Sequence, residues 1–128
     1  MKIEHLAINV PDALSLARWY VEHLGLTVKR RMMEEPWAHF LADDSGTVML
    51  ELYTNKAVAM PDYEHMEAAN LHLAFVSTDL QADLLRLSRV GATTPDQTEF
   101  MPNGDEVAMF RDPWNIPLQL VKRVQPMI

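Results

Sequence analysis

With 128 residues, 48% of them hydrophobic and 23% charged, the chain has the size of one domain and enough apolar bulk for a core. Its formal net charge of −7 argues against nucleic acid and anionic membrane surfaces as partners, and the lack of cysteine removes disulfides, thiolate nucleophiles and thiolate metal ligands. No apolar run reaches membrane-spanning length and the first residues have no signal-peptide core, so a cytoplasmic location is expected.

Residues 3–10 alternate strictly, with Leu6, Ile8 and Val10 on one face and His5, Ala7 and Asn9 on the other, the period of a strand. Pro11-Asp12 turns the chain into a helix, for which Asp12 or Ser15 is the cap. Leu16, Trp19, Tyr20 and Leu24 recur at helical spacing until Gly25 stops them. Residues 26–33 read as a second strand carrying Lys29, Arg30 and Arg31. After Pro36, residues 37–42 read as a third, with Trp37, His39 and Leu41 on one face and Ala38, Phe40 and Ala42 on the other. Asp43-Asp44-Ser45-Gly46 is a hairpin turn, and residues 47–53 form a fourth strand that points Met49, Glu51 and Tyr53 away from Leu50 and Leu52.

Residues 55–69 show no strong period and contain Pro61, so they read as a linker. The plan then starts again. Residues 71–77 are a strand, residues 79–90 a helix with Leu80, Leu84, Leu87 and Val90 inward, and Gly91 a stop. Residues 93–101 are weakly extended; 106–111 and 116–122 make a hairpin around Asp112-Pro113-Trp114-Asn115. His5-Leu6-Ala7 returns as His72-Leu73-Ala74, an offset of 72 − 5 = 67. Asp12 maps to Asp79, Gly25 to Gly91, and Leu50-Glu51-Leu52 to Leu118-Gln119-Leu120, at offsets of 67, 66 and 68. A period this long marks a duplicated half-domain rather than a solenoid array. The order β-α-β-β-β, twice, predicts one α+β domain over 1–128: a first module at about 1–55, a linker at about 56–69, and a second module at about 70–128.

One helix per module covers one face of its sheet. His5, Glu51, His72 and Gln119 fall on the other face, each in an apolar strand. Burying such groups without partners costs about 1–3 kcal/mol for each neutral one and more for a charge. A divalent cation would satisfy all four, since imidazole nitrogen and carboxylate oxygen are usual ligands of Zn, Ni, Fe or Mn and an amide oxygen adds a weaker one. The alternative stays open: a single strand His is more often structural than a ligand, and most Glu residues are exposed. Agreement of four equivalent positions is what favours the metal.

These residues resemble the vicinal oxygen chelate superfamily, also called glyoxalase/bleomycin resistance/dioxygenase. The carriers are His5-Leu6-Ala7-Ile8-Asn9-Val10-Pro11-Asp12, Trp19-Tyr20 through Leu24-Gly25-Leu26, His72-Leu73-Ala74-Phe75-Val76, and Phe110-Arg111-Asp112-Pro113 leading to Leu118-Gln119-Leu120. The resemblance implies paired modules whose sheets curl into a cup-shaped half-barrel around a metal and a substrate. By position it makes His5, Glu51, His72 and Gln119 the metal ligands. Glyoxalase I-like members usually carry a carboxylate where Gln119 stands, and Trp114-Asn115 replaces a frequent acidic-Gly pair. Gln cannot titrate, so Glu51 is left as the one catalytic base beside the metal.

The implied function is a metal-dependent lyase or isomerase acting on a small oxygenated substrate chelated through vicinal oxygens. Trp37, His39, Met49, Tyr53 and Met109 are the expected substrate-binding walls. A metal-free, ligand-sequestering protein of the bleomycin-resistance kind is the competing expectation. A dioxygenase is weaker, because its usual final-strand carboxylate is replaced by Gln119. Assembly as a homodimer is implied by the short members of the family.

Overall fold

The computed structural model describes residues 1–127. The chain divides into two compact units, Met1–Pro61 and Asp62–Ile128, and the boundary lies inside the 56–69 stretch. Each unit runs β-α-β-β-β. The first comprises β1 (His5–Asn9), α1 (Ala13–Leu24), β2 (Thr27–Arg31), β3 (His39–Ala42) and β4 (Met49–Tyr53); the second comprises β5 (Leu73–Val76), α2 (Leu80–Ser88), β6 (Glu99–Phe100), β7 (Glu106–Arg111) and β8 (Pro117–Lys122).

Both sheets are mixed, ordered β1-β4-β3-β2 and β5-β8-β7-β6. In each, the strand before the helix pairs parallel to the last strand of its unit, and the remaining pairs are antiparallel. The helices begin alike. Asp12 Oδ1 accepts the Ser15 N–H at 3.0 Å, and Asp79 Oδ1 accepts the Ala82 N–H at 3.0 Å, each satisfying a donor that the first turn leaves without an intrahelical partner. Gly25 closes α1 in the left-handed conformation, φ 75°, and its N–H reaches the Tyr20 carbonyl. α2 ends earlier than Gly91, at Ser88, and the chain runs through two further turns before Gly91 reverses it at φ 98°.

Helix packing fills one face of each sheet. Leu16 and Tyr20 of α1 are buried with Ile8, Leu41 and Leu52 in the first unit. Leu80, Leu84 and Leu87 of α2 are buried with Ala108, Phe110, Leu118 and Leu120 in the second. The faces turned away from the helices are half-exposed and carry the polar groups.

β3 starts at His39, not at Trp37 as the alternation suggests. Trp37 has φ 57°, a left-handed conformation that a strand does not pass through. The extended 93–101 stretch reduces to the two-residue β6 and an isolated Thr93–Arg111 bridge. Residues 62–70 form no regular element. They are tied down by Arg111, whose guanidinium donates to the Tyr63 carbonyl at 2.6 Å and the Met66 carbonyl at 2.7 Å.

Candidate functional site: two matched donor pairs

Strand register places the expected ligands. Ala7 lies opposite Glu51 and Ala74 opposite Gln119, and in both units the His stands two residues before that alanine. Because side chains alternate across a strand, His5 and Glu51 share one face, as do His72 and Gln119. The repeat read from the sequence is therefore also a repeat of register.

In the first unit, His5 Nε2 lies 3.3 Å from Glu51 Oε2, and its Nδ1 contacts the Glu4 carboxylate. The imidazole also sits edge-on against Phe40, with ring centroids 5.5 Å apart. A neutral imidazole owns one N–H, while carboxylates only accept. His5 thus stands between two carboxylates, and on the Glu51 side an imidazole nitrogen and a carboxylate oxygen face each other, a donor pair of the kind that ligates cations. The 3.3 Å separation matches the about 3.3 Å edge of a tetrahedral site with bonds of about 2.0 Å.

In the second unit, His72 Nδ1 lies 2.8 Å from the Ala68 carbonyl. A carbonyl can only accept, so the proton is on Nδ1 and the Nε2 lone pair is left for a cation. This is how metal-binding imidazoles are usually oriented. Gln119 Nε2 donates to Met109 Sδ at 3.3 Å; a thioether cannot donate, so the amide oxygen is the end left free to ligate. Each unit offers a pair of donors. Among the described residues, no three His, Asp or Glu side chains gather as a metal set.

Within each unit the donor types suit a divalent cation: an imidazole nitrogen with a carboxylate in the first, and an imidazole nitrogen with an amide oxygen in the second. Met49 and Tyr53 share the Glu51 face by alternation along β4, and Met109 lies opposite Gln119.

Two of the expected wall residues belong elsewhere. His39 pairs with Leu52, which puts it on the helix side, where it is buried with Nδ1 2.6 Å from the Trp37 carbonyl. Trp37 lines a pocket with Pro11, Asp12, Leu14, Thr54 and Lys56 at the start of α1. On β3 the Glu51 face carries Phe40, directly opposite Glu51, and Ala42, opposite Met49. Alternation gave the two faces of β3 but not which was which. Leu41, fully buried on the face of His39, carried the missing signal, because a large aliphatic belongs with Leu50 and Leu52 under the helix.

A duplicated β-α-β-β-β protein with a His–carboxylate pair on one module and a His–amide pair on the other is a narrow class. The chain belongs to the Glyoxalase/Bleomycin resistance protein/Dioxygenase superfamily, whose family model matches residues 2–120. No curated protein matches it in sequence. Among solved structures it is similar to a glyoxalase family protein from Enterococcus faecalis, with 29% identity, a TM-score of 0.67, and coverage of 94% of this chain and 97% of that one. It is also similar to TnmS3, an antibiotic binding protein from Streptomyces sp. CB03234, at 20% identity, TM-score 0.71 and 95% coverage of both chains. A superfamily member from Sphaerobacter thermophilus DSM 20745 has 17% identity and a TM-score of 0.72, covering 96% of this chain and 98% of that one. At identities this low the last two bear on the fold alone.

Proposed function

We propose that this protein is a metal-dependent lyase or isomerase acting on a small substrate that chelates the metal through two vicinal oxygens. The supporting observation is the position of His5 beside Glu51, an imidazole nitrogen and a carboxylate oxygen 3.3 Å apart on one face of the sheet. His5, Glu51, His72 and Gln119 would hold a divalent cation such as Zn, Ni, Fe or Mn, and their joint action requires a first module to meet a second, within one chain or across a homodimer. When bound, such a cation polarises a substrate carbonyl or hydroxyl as a Lewis acid.

The rest falls to side chains. Glu51, half-buried between Met49 and Tyr53 on β4, takes a proton from the substrate carbon next to the polarised oxygen and can return it to a neighbouring atom. Gln119 orients without titrating. Phe40 and Met49 limit water around the reacting carbon.

A second reading rests on its own observation. In the second unit a cavity of about 600 Å³ has an apolar wall of Ala74, Val76, Val121 and Met127 beside the charged Lys122 and Arg123, a size and lining suited to holding a drug-sized molecule. TnmS3 is described as antibiotic-binding. Metal analysis of untagged protein by mass spectrometry separates the two. Near-stoichiometric metal that drops in His5→Ala and Glu51→Ala supports the enzyme; metal content that is nil, or unchanged in both variants, supports the sequestering protein.

A further inference from the structure

β2 breaks its ladder with β3 at one point. Thr27 pairs with Ala42 and Val28 with Leu41, but the next pairs are Arg30 with Phe40 and Arg31 with His39. An unbroken ladder would set Lys29 opposite Phe40 and Arg30 opposite His39, turning Arg30 to the helix side. The extra residue at the bulge reverses this, and bulges commonly re-aim a side chain in this way. Arg30 is thereby aligned with Phe40, which is opposite Glu51, which is opposite Ala7. One row crosses all four strands on the polar face, with the His5–Glu51 pair toward one end and a guanidinium at the other. Arg31 goes to the opposite face.

Arg30 is also unspent. Arg18, Arg86 and Arg123 are engaged by Glu22, Asp83 and Asp105, and Arg111 by backbone carbonyls. Among the described residues no carboxylate lies within ion-pair distance of Arg30, and it is exposed. Strands lie about 4.8 Å apart, so β2 and β4 backbones are separated by about 10 Å, with the Phe40 ring between them as an apolar floor. On a chain of net charge −7, an anion reaching this face needs a local cation, and a planar guanidinium holds a carboxylate or phosphate through two parallel hydrogen bonds.

We propose that Arg30 is the specificity-determining residue of this site and selects a substrate with an anionic group at the end remote from its chelating oxygens. The natural ligand is then a short-chain dianion: vicinal oxygens toward His5 and Glu51, a few carbons over Phe40, and a carboxylate or phosphate on Arg30. This rests on the reading of the site given above. The competing role for Arg30 is that of a solvated edge-strand charge that blocks pairing with other chains, a role Lys29 and Arg31 fill equally well.

The test is calorimetric titration with two matched pairs of 2-hydroxy acids, malate against 2-hydroxybutyrate and 2-hydroxyglutarate against 2-hydroxyvalerate. Within each pair the vicinal oxygens are the same and only the far end changes, from carboxylate to methyl. Wild-type protein is expected to bind at least one dianion about tenfold or more tightly than its partner. Arg30→Gln should erase that preference, Arg30→Lys should retain part of it, and Arg31→Gln should leave it intact, with thermal midpoints confirming that each variant is folded. No preference in wild type, or equal loss in Arg30→Gln and Arg31→Gln, overturns the proposal. Metal content of the same samples is read separately. An Arg30-dependent preference without metal keeps this proposal and removes the metal, whereas bound metal without a preference does the reverse.

Discussion

Asp12 and Asp79 enter their helices at nearly the same backbone angles, φ −145° in both and ψ 89° and 91°, and both units place an alanine opposite the polar residue of their last strand. What differs is that residue. Glu51 faces an imidazole already engaged by Glu4, while Gln119 lies against the thioether of Met109 and has no charge to give or take. Duplication has kept the scaffold, whose helix starts and apolar face are needed twice. It has let the open face diverge, with a carboxylate in one unit and an amide at the matched place in the other.

The largest effects should come from the shared scaffold. Leu52 and Leu120 are buried at matched places, and replacing either by Ala should cost about 2–5 kcal/mol, read by urea unfolding. Similar losses at the two positions fit a repeated core. A near-zero loss at one of them breaks the equivalence. Next comes the divergence itself. Glu51→Gln should weaken metal affinity by at least the ~10–100-fold that losing an outer partner of a ligand costs, and Gln119→Glu should strengthen it by about tenfold through added ligand charge. Competition titration with a chromogenic chelator measures both. If Glu51→Gln has no effect, the units do not differ in the way described.

Smaller again are the helix caps. Asp12→Ala and Asp79→Ala should each cost about 0.5–2 kcal/mol, alike within error, because each removes one cap hydrogen bond of the same geometry. The smallest effect is a pH dependence. Asp12 is held below the ordinary carboxylate range by hydrogen bonds from Ser15, and Asp105 by the hydrogen-bonded Arg123 guanidinium and the Val124 N–H. A carboxylate with a lowered folded pKa contributes stability above its unfolded pKa and loses it as pH falls through the folded one. Urea midpoints should therefore decline below roughly pH 4, and Asp105→Asn should flatten part of that decline.

Much of the fold could be read from the chain because its signals are local. Period two in residues 3–10, the helical spacing of Leu16, Tyr20 and Leu24, and Asp or Gly at the helix ends need no partner strand to interpret. The pairing of His5 with Glu51 was legible through the repeat, which fixes equivalent places in two sheets. Three features were not. The face of β3 depends on its register with β4 and on the left-handed turn at Trp37, so His39 and Phe40 were exchanged. The direction of Arg30 depends on a bulge, and an inserted residue leaves no mark on a run of three basic side chains. The anchoring of residues 62–70 depends on the Arg111 guanidinium binding carbonyls some 45 residues away, and backbone acceptors are the same in every sequence.

X-ray absorption at the metal edge, on protein loaded with one equivalent of nickel or zinc, tests the paired-donor assignment most directly. Two imidazole nitrogens with oxygen neighbours are predicted in wild type, and one imidazole fewer in His5→Ala and again in His72→Ala. A wild-type spectrum without imidazole, or one unchanged by both substitutions, would contradict it.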